Sequence, residues 1–199
     1  MLILQKISSA ETRVKNSRFL AEAIPVSSPD EAKELWHWRK ENYDNGGHIV
    51  YAFTVGNQQN ISGCSDDGEP SGTAGRPVLA VLLGSGLTNT LVTVARWFGG
   101  TKLGTGGLVH AYSEAAKAAI EAAQTIELIP LNRINFSVSY GVYASCKKFL
   151  DSIGFNSENE DFAAEINITG TIPRSAAESL AGFLQELGNG KIICRQQEL

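Results

Sequence analysis

The chain has 199 residues, 43% of them hydrophobic and 19% charged, with a formal net charge of −4. This is an ordinary globular composition with enough apolar material for one large core or two small ones. No apolar run approaches the ~20 residues of a membrane span, and Met1–Lys6 is too short for a signal peptide, so a cytoplasmic protein is expected.

Cys64, Cys146 and Cys194 are an odd, widely spaced set without a Cys-x-x-Cys pair. That argues against a disulfide framework or a zinc ribbon and suits a reducing compartment. Charge is spread evenly, with 11 basic against 13 acidic residues in 1–130 and 6 against 8 in 131–199. A strong non-specific nucleic-acid binder is usually basic overall, so any such affinity here needs a local basic patch.

Phe19–Ile24 reads as a short strand. Ser28-Pro29-Asp30-Glu31 starts a helix, with Ser28 as cap, Pro29 in the first turn and Glu31 closing a capping box. That helix is expected to run to about Tyr43, burying Leu35 and one or both of Trp36 and Trp38, and to stop at Asn45-Gly46-Gly47. The β-branched and aromatic run Ile49–Val55 predicts a strand, forming a hairpin with a second strand that ends near Cys64. Pro77 at the start and Gly84 at the end favour a helix between them. Thr88–Phe98, apolar on both faces, reads as a central strand. Leu108–Ala123 reads as a helix with Leu108, Tyr112, Ala115, Ala119 and Ala122 on one face. His110, Glu114, Lys117 and Glu121 share the opposite face.

A boundary falls near Glu127–Asn132, giving expected domains of residues 1–130 and 131–199. Beyond it Ile134, Phe136, Val138 and Tyr140 alternate as in a half-buried strand. A helix over Tyr143–Ile153 follows, then a hairpin turning within Ser157–Asp161 and a second alternation at Phe162, Ala164, Ile166 and Ile168. Ser175–Leu187 is helical and stops at Gly188-Asn-Gly190, and Lys191–Arg195 is a last strand. This order, βαββαβ, is the ferredoxin-like plan.

Two glycine-rich segments concentrate the chemistry: Ser65–Gly75 and Arg96–Tyr112. Glycine costs folding entropy and is kept where the backbone turns through positive φ or meets something closely. Asp66, Asp67 and Glu69 invite a magnesium or calcium reading, but their spacing is not that of an EF-hand, and a turn that doubles as a recognition loop fits the residues better. In the second segment Gly99 and Gly104 have the glycine spacing of a P-loop, yet Thr105-Gly106 stands where Lys-Thr is required. Gly104-Thr-Gly106-Gly-Leu-Val109 fails the dinucleotide pattern at its last position. The underlying physics survives both failures. A glycine turn entering a helix N-terminus offers free amides and the positive end of a dipole. Arg96, Lys102, Gly104, Thr105, Gly106 and Gly107 are therefore the candidate anion or nucleic-acid contacts. The alternative is a tight strand-to-helix crossover whose glycines only let the backbone turn. Cys64 with His48 or His110 could be drawn as nucleophile and base, but nothing in the sequence brings them together. Trp36 and Trp38 read as core. No catalytic residue, metal or cofactor is assigned.

These segments, with Lys15-Asn-Ser-Arg-Phe19 before them, closely resemble the signature of the IMPACT family in its bacterial, YigZ-like branch. The matching stretches are Lys15–Phe19, Ser65–Pro70, Gly72–Gly75, Phe98–Gly100, Lys102–Gly104 and Gly106–Leu108, in that order. Two positions depart from the family's habit. Its frequent Arg or Lys before Ala-Tyr is His110 here, and its usual Val-Arg is Ala95-Arg96. The resemblance implies an α+β fold, with an N-terminal domain like that of a small-subunit ribosomal protein and of the fourth domain of elongation factor G. It implies a ferredoxin-like C-terminal domain like that factor's last domain. Eukaryotic members are associated with translational control through a co-activator of a stress-responsive initiation-factor kinase. The bacterial branch lacks their partner-binding N-terminal domain.

The function expected is therefore a non-enzymatic protein that binds RNA or a ribosomal component and modulates translation, with room for a protein partner. The rivals are a magnesium-dependent enzyme acting on a phosphorylated small molecule, and a protein-interaction module.

Overall fold

A computed structural model describes residues 1–42 and 47–198. The chain divides into two compact units, Met1–Leu128 and Ile129–Leu199. No helix among the described residues is long and apolar enough to cross a membrane.

The first unit is built on five antiparallel strands in the order β2-β3-β6-β4-β5. These are β2 (Ser8–Val14), β3 (Ser17–Pro25), β4 (His48–Val55), β5 (Ile61–Ser65) and β6 (Thr90–Trp97). β6 is central, as its two-sided apolarity requires. Period-two alternation sends Phe19, Ala21 and Ala23 of β3, Val50 and Ala52 of β4, and Val92 and Val94 of β6 to one face. Helices α2 (Gly75–Gly84) and α3 (Gly104–Glu121) close over that face with Val78, Leu82, Leu108, Tyr112, Ala115 and Ala119. On the other face α1 (Pro29–Asn42) packs Ala32 and Leu35 against Ile24, Phe53, Val55 and Leu91. A two-stranded ribbon, β1 (Leu2–Leu4) with β7 (Thr125–Glu127), ties the ends of this unit together.

The start of α1 is capped one residue differently from the sequence expectation. The Glu31 amide donates to Ser28 Oγ at 3.1 Å, as a cap should, but the Glu31 carboxylate accepts from the amide and hydroxyl of Ser27 at 2.6 Å each. Trp36 is partly buried and donates from Nε1 to the Ile49 carbonyl at 2.7 Å, whereas Trp38 is exposed. Arg39 takes the buried position instead, paired with Glu22 at 2.9 Å. The expected stop at Tyr43 and Asn45-Gly46 lies outside the described residues.

The second unit runs β8 (Leu131–Val138), α4 (Tyr140–Ser152), β9 (Asn156–Phe162), β10 (Ile166–Pro173), a short 3-10 turn, α5 (Ala177–Leu187) and β11 (Arg195–Glu198). Its sheet order is β11-β8-β10-β9. Ile134, Phe136, Val138, Ile166, Ile168 and Ile172 face Cys146, Leu150, Leu180 and Leu184 of the two helices. Phe149 and Phe183 stack between the helices with ring centres 3.9 Å apart.

Three expectations here move. Tyr140 opens α4 rather than ending β8. Ser157–Asp161 is strand, not turn, and Ala163–Glu165 connects β9 to β10. β9 is an edge strand exposed almost throughout, so its polar run Asn-Ser-Glu-Asn-Glu-Asp lacks the apolar alternation of a covered strand. The last strand starts at Arg195, four residues later than Lys191.

Candidate nucleic-acid interface

The signature segments gather at one end of the first unit's sheet. There β3 and β4 begin while β5 and β6 finish, with Arg18 opposite Trp97, His48 opposite Arg96 and Tyr51 opposite Ser65. The loop after β5 is held by its own carboxylates. Asp66 accepts the amides of Gly72 at 2.8 Å, Ala74 at 3.0 Å and Gly75 at 2.8 Å, fastening the loop to the start of α2. Burial pushes the Asp66 carboxyl up, but those three N–H donors and the charge of Arg76 outweigh it and hold it below the usual carboxylate range. Asp67, at φ +45°, accepts the Ile49 amide at 2.7 Å and pairs with Lys40. Its carbonyl lies 2.6 Å from His48 Nδ1.

Glu69 is buried and joins the two signature segments. Its Oε1 accepts from Arg96 Nη1 at 2.6 Å and from the Tyr112 hydroxyl at 2.7 Å. Burial, then the Glu69 hydrogen bond and charge, drive the Tyr112 hydroxyl far above the ordinary tyrosine value, so it stays a donor. The three acidic side chains therefore diverge to separate partners, and among the described residues no group of three or more His, Cys, Asp or Glu side chains is arranged to hold a metal ion. Arg96, expected as a direct anion contact, is 8% exposed and committed to Glu69. Its side chain supports the surface from beneath. The Cys64 thiol is pushed up by burial, then by the charge of Asp66. His110 is exposed on α3.

The second segment turns sharply and then winds directly into α3. At Gly99 an added Cβ would sit 2.0 Å from the Asn16 carbonyl carbon, and the Gly99 amide donates to Ser17 Oγ at 3.2 Å. This contact joins the Lys15–Phe19 and Phe98–Gly100 stretches. Gly104 has φ +73° and opens the helix. Gly104–Gly107 is thus the first turn of α3 rather than a loop preceding it, and no side chain caps it. Gly104, Thr105 and Gly106 are exposed, as is Lys102. Gly104, Thr105 and Gly106 are first-turn positions, whose amides lack an intrahelical acceptor.

Three further residues belong to this surface and were not named as contacts from the sequence, although Lys15 and Phe98 lie in its signature stretches. Lys15, in the β2–β3 turn at φ +46°, is exposed. Arg76 is exposed on the first turn of α2, its side chain beside Gly72. Phe98 is 61% exposed between the central strand and the glycine turn. For Lys15 and Phe98 the available signal was their place in the signature stretches, while their exposure together with Arg76 comes from the fold.

The Impact N-terminal domain model matches residues 15–120. An IMPACT family member of Bacillus subtilis, YvyE, is 30% identical over 95% of this chain and 87% of its own. The Escherichia coli member YigZ is 29% identical over 90% of this chain and 89% of its own. A crystal structure of a hypothetical protein superposes with a TM-score of 0.71 at 28% identity, covering 97% of this chain and 95% of that one. The chain belongs to the IMPACT family.

Proposed function

We propose that this protein is a non-enzymatic RNA- or ribosome-associated factor that modulates translation, gripping phosphate at the N-terminal turn of α3. The observation that carries the reading is the uncapped first turn of α3, exposed at Gly104, Thr105 and Gly106, with Lys102 beside it. Free amides at the positive end of an 18-residue helix favour an anion. Lys102, Lys15 and Arg76 supply fixed positive charge at the same end of the sheet, and Phe98 offers a ring on which a base can stack. Asp66, Asp67 and Glu69 act by shaping the recognition loop. The family resemblance adds the association with translational control. The second unit's strand order supports a ferredoxin-like domain, and the analogy of the first unit to a ribosomal protein and to an elongation-factor domain belongs to the same proposal. Co-sedimentation with ribosomes and filter binding to a labelled single-stranded RNA, each across a salt series, test it. Absence of association at low salt would overturn it.

A further inference from the structure

We infer that the second unit contains a separate binding cleft for a phosphate-bearing molecule of nucleotide size. β10 pairs with β8 along its whole length, but β11 pairs with it only from Asn132 to Asn135. Beyond Asn135 the chain Gly188–Cys194 makes no ladder pairing with that edge. A cavity of about 630 Å³ remains between them, inside the ~300–1,000 Å³ range of small-molecule sites. The apolar, β-prone Lys-Ile-Ile-Cys run that reads as strand in the sequence is thereby left out of the sheet, with Ile193 76% exposed.

The chemistry of the walls sets the ligand class. Lys191 and Arg195 line the cavity, and neither has an ion pair among the described residues. Glu165 is the acidic side chain lining it, which leaves a local excess of positive charge in a chain of net −4. Lysine supplies a point charge and arginine a planar fork matched to phosphate oxygens. Ser139, the residue before α4, lines the same space, so the positive end of that helix adds to the field. Leu187, Ile192 and the exposed Ile193 give an apolar wall for a ring, and Asn135 and Asn167, held by cross-strand hydrogen bonds with Thr169 and Ser137, add polar side chains beside it. Phosphate on a free nucleotide and phosphate in an RNA strand share this chemistry, and the test separates them.

The test is calorimetry on the full chain with AMP, with inorganic phosphate and with a 12-nucleotide oligouridylate lacking terminal phosphate. Lys191 and Arg195 are exposed, so K191A/R195A keeps the fold, checked by its melting curve against wild type. AMP is expected to saturate the wild-type protein, and the double variant to bind it about tenfold or more weakly, since two charge-assisted bonds are lost. AMP binding that is lost in Lys102→Ala and kept at wild-type affinity in K191A/R195A would place the nucleotide on the first unit and overturn the inference. Phosphate should compete with AMP. No AMP binding up to about 10 mM, or equal AMP affinity in the double variant, overturns the inference. Oligouridylate binding that depends on Lys191 and Arg195 without any AMP binding overturns it equally, by assigning the cations to RNA alone.

Discussion

At Glu69 a single carboxylate oxygen serves partners 27 and 43 residues away in sequence. Nothing in Ser65–Gly75 alone can reveal that, which is why three acidic residues read as one recognition surface while each anchors something different. Removing the carboxylate leaves the Arg96 guanidinium buried without its counter-charge. Glu69→Ala should therefore lose about 3–5 kcal/mol of stability by urea unfolding, and replacing Arg96 by Met in the same background should restore part of it. An unchanged midpoint for Glu69→Ala would show that the pair is solvated. Asp66 makes a pH prediction. Its folded carboxyl is held low, so its contribution is present above the unfolded carboxylate value and is lost as pH falls through the depressed folded value. Asp66→Ala should cost about 0.5–2 kcal/mol at neutral pH, in the range of a lost helix cap. The gap between variant and wild type should narrow steadily in acid. A gap that stays constant below pH ~3 would show that the ionised form is not what matters.

Among the elements, local periodicity was readable and edges were not. The buried face of α3 follows from spacing, β4 and β6 from their β-branched, aromatic and apolar content, and α2 from the proline and glycine at its ends. β9 and β11 are expected but displaced along the chain, because edge strands carry no apolar period to fix their bounds, and α3 begins four residues earlier than expected because its first turn is glycine, whose low helix propensity hides it. That first turn is also where the proposed phosphate contact lies. Gly104→Ala forces a side chain into φ +73°, a cost of roughly 1–2 kcal/mol. The same substitution at Gly106, where an added Cβ meets nothing within 4 Å, should be tolerated and slightly helix-stabilising. Gly99→Ala should be the worst of the three, since backbone atoms of Asn16 cannot move aside like a flexible side chain. Thermal melts of the three variants check the ranking, and RNA binding should fall with Gly104→Ala and Gly99→Ala while Gly106→Ala retains most of it.

Across the whole molecule, charge and core are partitioned between the two units. The first unit buries two apolar clusters and the second one of its own, and the net charge divides equally at −2 each, so long-range attraction to a polyanion cannot come from either unit as a body. Any RNA affinity must then come from a few local contacts, and its salt dependence counts them. Each phosphate neutralised should contribute about 0.7–0.9 to the slope of log affinity against log salt. Lys102→Ala should lower the slope by about that amount and weaken all RNA sequences alike, because phosphate contacts position a strand without reading its bases. Phe98→Ala predicts the opposite signature: loss of one stacked base should cost about 1–3 kcal/mol with the slope unchanged. Lys191→Ala, on the second unit, should alter neither quantity if the RNA surface is confined to the first. A Phe98→Ala variant that flattened the slope, or a Lys102→Ala variant that left it intact, would place the phosphate contacts somewhere other than the turn that opens α3.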